Sequence, residues 1–268
     1  MKKVNLKRVK HDCKVGGVCG DMTPTVREDC ILMEDGEVLG FYIRDVSKYS
    51  ENLSKWVSIA NAEFRSKRVP KSVMTRSSAL NARRDGGQGV EQYSTIIGSV
   101  PPKPHMRRSY PTRSSVHDKK SAQIFIKAML LACRESEELI KRITPEIYNK
   151  QVKLISENVP QDWRLGKMFT SSISNYNIPA AYHIDNANLK GCVNVILSKR
   201  ENSRGGHLSV PDFDSVFNSG DNSMLVYPAW YSLHGVTPIV PLAANGYRNT
   251  LVFYPLKAFK YDEKDEKS

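Results

Sequence analysis

Five short runs constrain this chain more than anything else in it. Lys167–Ile173, Gly191–Leu197, His207–Val210, Ser223–Tyr227 and Asn249–Tyr254 are each apolar or alternating, and Gly, Asn, Asp and Pro turns separate them. Runs this short and this closely spaced pair as antiparallel strands, so the C-terminal half is expected to form a sandwich or jelly roll.

The chain ahead of them has a different texture. Asp29 to Ile43 reads as a hairpin, two apolar runs joined by Asp35-Gly36, which suits a tight primed turn. A helix is predicted around Asn52–Phe64 and a longer one from Lys119 to Arg142, where Ile124, Ala128, Leu131 and Ile124, Phe125, Met129 recur at helical spacing. Thr144-Pro145-Glu146 reads as a cap and a first-turn proline opening another helix to Asn158. The fold class is therefore α+β, with a jelly-roll core in the C-terminal half and an N-terminal hairpin and flanking helices. The 268 residues divide into a basic extension over 1–120 packed on a core over 121–260, with a charged tail at 261–268.

The formal charge is +12, and it is unevenly spread. Residues 1–120 hold 23 Lys and Arg against 13 Asp and Glu, whereas 121–268 hold 17 against 15. Within the first part, Phe64 to Arg113 carries eleven basic residues against Asp85 and Glu91, interleaved with Gly, Pro, Tyr93 and Tyr110. That pattern reads either as a solvated surface or as an extended, phosphate-seeking region. No apolar run approaches the roughly 18 residues of a membrane span, and no apolar signal core follows the first residues. An intracellular protein, cytoplasmic or nuclear and without a membrane partner, is expected. The five cysteines are scattered, odd in number and lack a C-x-x-C pair, which fits reduced thiols rather than a zinc site.

The chemistry concentrates in the β-rich half. His183-Ile184-Asp185 places an imidazole and a carboxylate two residues apart, on one face of an extended segment. His234 follows 51 residues later. Two histidines and one carboxylate form the facial triad that holds non-haem Fe(II) with open positions. Fourteen residues on, Arg248 and Thr250 share a strand face and suit a terminal carboxylate. A lone H-x-D is weak evidence; H-x-D, strands, a downstream His and a final R-x-T in that order is specific.

The stretch from about Asn175 to Pro255 resembles the 2-oxoglutarate- and Fe(II)-dependent oxygenases. Within them it is similar to the TET/JBP group, which oxidises the C5 methyl of 5-methylcytosine or thymine in DNA. The resemblance is carried by His183 to Asn188, Gly205-Gly206-His207-Leu208-Ser209-Val210-Pro211, Ser219-Gly220-Asp221, Leu233-His234-Gly235-Val236 and Arg248-Asn249-Thr250. It covers roughly a third of the chain, lacks the cysteine-rich module of the animal TET type, and looks like a compact viral or microbial version.

What the resemblance implies is a double-stranded β-helix with His183, Asp185 and His234 as iron ligands. It implies Arg248, assisted by Thr250, on the distal carboxylate of 2-oxoglutarate, with O₂ as the third reactant. His207 then touches the cosubstrate or lines the barrel. Asn188 either hydrogen-bonds a flipped base or makes an Asx turn. A monomer acting on double-stranded DNA has to flip the base out of the stack, with Arg83, Arg84, Arg107, Arg108, Tyr93 and Tyr110 as candidate contacts. Three readings remain open: a 5-methylcytosine oxygenase with thymine as a close variant, an oxygenase of a protein, nucleotide or small molecule, and a non-catalytic DNA-binding module.

Overall fold

The Asp35-Gly36 dipeptide closes the expected hairpin with both residues at positive φ, 49° and 88°, the backbone of a primed two-residue turn. A computed structural model describes residues 1–77, 91–103 and 107–259. Arg83, Arg84 and the charged tail lie outside these described residues.

The strands, in chain order, are β1 (Lys2–Asn5), β2 (Cys30–Glu34), β3 (Glu37–Ile43), β4 (Arg76–Ser77), β5 (Tyr93–Val100), β6 (Thr112–Arg113), β7 (Ser171–Tyr176) and β8 (Ala180–His183). They continue with β9 (Asn194–Glu201), β10 (Ser203–Gly205), β11 (Leu208–Val210), β12 (Ser215–Phe217), β13 (Ser223–Tyr227), β14 (His234–Val236), β15 (Ile239–Pro241) and β16 (Tyr247–Tyr254). The larger sheet runs β1-β2-β3-β13-β9-β16-β7-β5-β4, with β6 on β5; the smaller runs β12-β11-β14-β8. From β7 onward the chain passes back and forth between the two, with the β11–β12 hairpin in the smaller sheet and β10–β15 pairing on their own. In the larger sheet β7-β16-β9-β13 pair antiparallel, as do β8-β14-β11-β12 in the smaller. This is the jelly roll, one of the two architectures expected from the spacing, in the double-stranded β-helix form that the resemblance implies. Strands from residues 1–120 extend its larger sheet at both ends.

Alternation decides what each face meets. On β16, Leu251 and Phe253 are buried in a cluster with the helical residues Leu53, Val57, Phe64, Phe125 and Met129. Arg248, Thr250, Val252 and Tyr254 point the other way, into a cavity between the sheets. Each large apolar side chain on the helix-facing side contributes roughly 1.5–3 kcal/mol of burial.

Ser50 caps the helix Glu51–Arg65 by accepting from the Leu53 N–H. The helix Gln123–Ile143 begins four residues later than predicted, after two short 3-10 turns. Its buried stripe starts at Phe125, and Ile124 is exposed, so the predicted face is rotated. Pro145 does open the next helix, Pro145–Asn158. The Thr144 hydroxyl turns back to the Ile140 carbonyl instead of capping forward.

Strand β5 shows that part of Phe64–Arg113, read as a solvated surface or an extended phosphate-seeking region, is built into the sheet. From Gln92 to Pro102 the sequence carries no charge, and those residues form an interior strand between β7 and β4. Among the described residues no helix is long and apolar enough to cross a membrane.

Candidate metal centre

Strands β8 and β14 pair with His183 directly opposite His234, so one end of the smaller sheet presents two imidazoles with ring centroids 4.3 Å apart. Their orientation is fixed from behind. His183 Nδ1 lies 2.8 Å from the Ala181 carbonyl and His234 Nδ1 lies 3.0 Å from that of Ser232. A carbonyl only accepts, so each Nδ1 carries the proton and each Nε2 keeps its lone pair for a ligand role. Burial, then the His183 charge, push the His234 pKa down, and a metal needs the neutral ring.

Asp185 completes the group. Its backbone N–H is held by the Ala229 carbonyl at 3.1 Å. Its Oδ1 lies 3.6 Å from His183 Nε2 and 4.0 Å from His234 Nε2, and all three ligand atoms fall within 4.8 Å of one another. Ligand atoms this close could converge on a single metal ion. The other oxygen, Oδ2, accepts from Asn194 Nδ2 at 3.0 Å and Asn188 Nδ2 at 3.5 Å. Asn188 also donates to Asn194 Oδ1 at 2.8 Å, and its backbone N–H reaches the Asp185 carbonyl at 2.9 Å. The Asn188 amine is thus committed to the Asp185 carboxylate and to Asn194, so the Asx turn weighed for it does not form and it helps to orient Asp185 instead.

The three residues line a cavity of about 630 Å³ that also takes in Arg248 and Thr250. Arg248 is 3% exposed. One guanidinium nitrogen donates to Ser219 Oγ at 3.2 Å, Nε has no partner, and no described carboxylate pairs with it. Burial, then the Arg200 charge, pull its pKa down to about 9. An isolated buried cation is costly, so this one is built to receive an anion. Gly206, at φ +69°, makes room for it: a Cβ there would sit 3.2 Å from Arg248 Cδ.

His207 does not line the cavity; its Nδ1 accepts from the Ser219 N–H at 3.2 Å, so it steadies the residue that holds Arg248. Burial, then the Arg200 and Arg248 charges, lower its pKa to about 4.

The basic region divides on inspection. Arg107 and Tyr110 are exposed. Arg108 is not a free cation, because its guanidinium closes the β5–β6 connection onto the Pro101 carbonyl and the Thr112 hydroxyl. Tyr93 is buried, stacked on Tyr176 at 4.4 Å and packed on Phe64, where no nucleic acid reaches it. Asn194 was not singled out from sequence, and Gly206 and Ser219 stood only among the residues carrying the resemblance, with no role of their own. The polar Asn at the head of an apolar run and the Ser219-Gly220-Asp221 turn were the available signals.

The fold and the site together define a double-stranded β-helix carrying a two-histidine, one-carboxylate cluster at its mouth. Among solved structures, the chain is similar over 97% of its length to NgTET1 in complex with 5mC DNA, covering 84% of that chain at 13% identity and a TM-score of 0.60. OsALKBH1 aligns with 76% of this chain and 95% of its own at 15% identity and a TM-score of 0.41. A 2OG-Fe(II) oxygenase family oxidoreductase from Burkholderia pseudomallei aligns with 66% and 73% at 12% identity and 0.39. No protein-family model and no curated protein matches the sequence.

Proposed function

We propose that this protein is a 2-oxoglutarate- and Fe(II)-dependent dioxygenase that oxidises the C5 methyl of 5-methylcytosine in double-stranded DNA, acting as a monomer. The observation that carries the reading is Arg248: a buried guanidinium without a counter-ion among the described residues, on the wall of the cavity that holds His183, Asp185 and His234. The donor set fits the groups implied. Two neutral imidazoles and one carboxylate suit Fe(II) with positions left open, and Arg248 with Thr250 suits the far carboxylate of a dicarboxylic keto acid.

Bound together, the metal and 2-oxoglutarate supply O₂-dependent oxidation of a C–H bond, with 2-oxoglutarate leaving as succinate and carbon dioxide. The residues of this chain supply the rest. His183 and His234 present Nε2 because their other nitrogens are occupied. Asn194 and Asn188 fix Asp185 so that Oδ1 faces the histidines. Arg248 sets how deep the cosubstrate lies, and Ile173, Ile196, Leu208 and Val252 give the cavity apolar walls that limit water. A pyrimidine C5 methyl lies in the major groove of stacked DNA, so the base must leave the duplex to reach a metal between two sheets. NgTET1, similar in fold, was solved with 5mC DNA, and that supports the choice of substrate.

The test is incubation with Fe(II), 2-oxoglutarate, ascorbate and methylated duplex, then digestion to nucleosides and mass spectrometry. Appearance of 5-hydroxymethylcytosine is expected, with 5-formyl and 5-carboxyl products as successors. Oxidised thymidine alone moves the substrate to thymine. Succinate without any modified nucleoside overturns the DNA-base reading, and no iron-dependent succinate at all makes the protein a non-catalytic module.

A further inference from the structure

We infer that the loop Asp12–Gly20 is a wedge that enters the DNA duplex beside the metal centre, with Lys10 and Lys14 gripping phosphates and Val15 and Val18 taking the space of the extruded base. The inference rests on the proposed action on a duplex base.

Three observations converge on this loop. The first is its place. The Gly16 N–H donates to the Tyr182 carbonyl at 2.7 Å and the Tyr182 N–H donates to the Gly17 carbonyl at 2.8 Å. Tyr182 precedes the metal ligand His183, and β8 is the edge of the smaller sheet. Hydrogen-bonded neighbours of this kind lie about 5 Å apart, backbone to backbone. Cys19 is buried with Tyr182 and Leu233, next to both histidine-bearing strands. The loop is thus anchored to the centre itself.

The second is apolar exposure. Val15 and Val18 are 69% and 77% exposed, the highest values among the large hydrophobic side chains described. They flank the two glycines that dock on β8. Met1, Val9 and Tyr231 are also exposed, and Tyr231 lies under the Arg8 guanidinium at 4.4 Å. Val15 and Val18, three residues apart in one docked loop, put two such side chains close together, as a binding surface does. Apolar side chains pushed between base steps are how proteins unstack a duplex.

The third is charge. Residues 1–20 hold Lys2, Lys3, Lys7, Arg8, Lys10 and Lys14 against Asp12 alone. Arg8 is consumed by Glu34 and Asp212, and His11 also reaches Asp212. These contacts stitch the segment down while Lys7, Lys10 and Lys14 stay exposed without a described acidic partner. An apolar tip with basic flanks matches a duplex, whose stacked interior lies between two phosphate rows.

The experiment compares the full-length wild type with Val15→Ser/Val18→Ser and with Lys10→Gln/Lys14→Gln. The probes are a 5-methylcytosine duplex of about 20 base pairs and the same methylated strand alone. The serine pair is expected to lower turnover on the duplex at least tenfold while leaving the single strand unchanged, because only the duplex needs opening. It is also expected to abolish the fluorescence rise of a 2-aminopurine placed next to the target base, a readout that needs no turnover. The glutamine pair is expected to flatten the slope of log affinity against log salt by about two units. If wild type oxidises the duplex and the serine pair matches it on both substrates with the 2-aminopurine signal intact, the wedge is overturned and the proposed function stands. Equal losses on duplex and single strand also overturn it, since the loop then serves the fold or the metal centre. If wild type forms no modified nucleoside, it is the proposed function that fails.

Discussion

The two oxygens of Asp185 have different work, and substitutions around them separate it. Asp185→Ala or His183→Ala is expected to abolish iron-dependent succinate formation with the fold intact by circular dichroism, because a three-ligand site has no spare. Retained turnover in either would move the metal elsewhere. Asn194→Ala keeps all three ligands but frees Oδ2, and a 10- to 100-fold loss of metal affinity by titration is expected. Arg248→Ala should raise the 2-oxoglutarate Michaelis constant roughly 100-fold, about 3 kcal/mol, since a buried carboxylate loses its charged partner. An unchanged constant would assign that carboxylate to another cation. The ligands were legible in the sequence because H-x-D, His and R-x-T stand in a fixed order. Asn194 was not, because nothing in one chain says which polar side chain a fold turns toward a carboxylate. Asn188 was visible, but its amide can read a base or hold a ligand, and only the distance to Asp185 separates the two.

Among elements, the helix Gln123–Ile143 is tied to the approach to β7 by one carboxylate. Glu137 Oε1 accepts from the Lys167 and Met168 N–H groups at 2.7 and 2.9 Å, and burial raises its pKa to about 7. Between its unfolded value of 4.5 and 7 the folded state binds the extra proton, so this group lowers stability as pH rises. His207 opposes it. Its pKa near 4 lies below the usual 6.5, so the unfolded state binds more protons between those values and stability rises with pH. The two slopes offset one another in the wild type. Glu137→Gln keeps an acceptor for both N–H groups and leaves His207 alone, so its melting temperature should climb from pH 4 to 6.5 more steeply than that of the wild type. Parallel profiles would mean that Glu137 titrates alike in the folded and unfolded chains. The jelly-roll strands were legible because short alternating runs with turn residues between them have few other solutions. β5 was hidden by the charges on either side of it. β8, β12 and β14 were hidden by their length of three or four residues, too short for alternation to register.

At the scale of the whole molecule, ligand binding should read out as stability. Mn²⁺ with 2-oxoglutarate, under argon so that no turnover occurs, is expected to raise the melting temperature beyond the metal alone, because both bind only the folded state. Equal shifts with and without the keto acid would argue that it does not enter the cavity. Such coupling follows from where the parts reside. The proposed metal ligands come from one sheet and the turn beyond it, β8, β14 and Asp185, whereas Arg248 and Thr250 come from β16 in the other. On the proposed function, a molecule whose two leaves part would lose Arg248's hold on the keto acid and, with it, the support that Asn194 of β9 gives to Asp185. On that reading the jelly roll works as an interlock, because the proposed metal cluster and the cosubstrate grip come together only while the sandwich is shut.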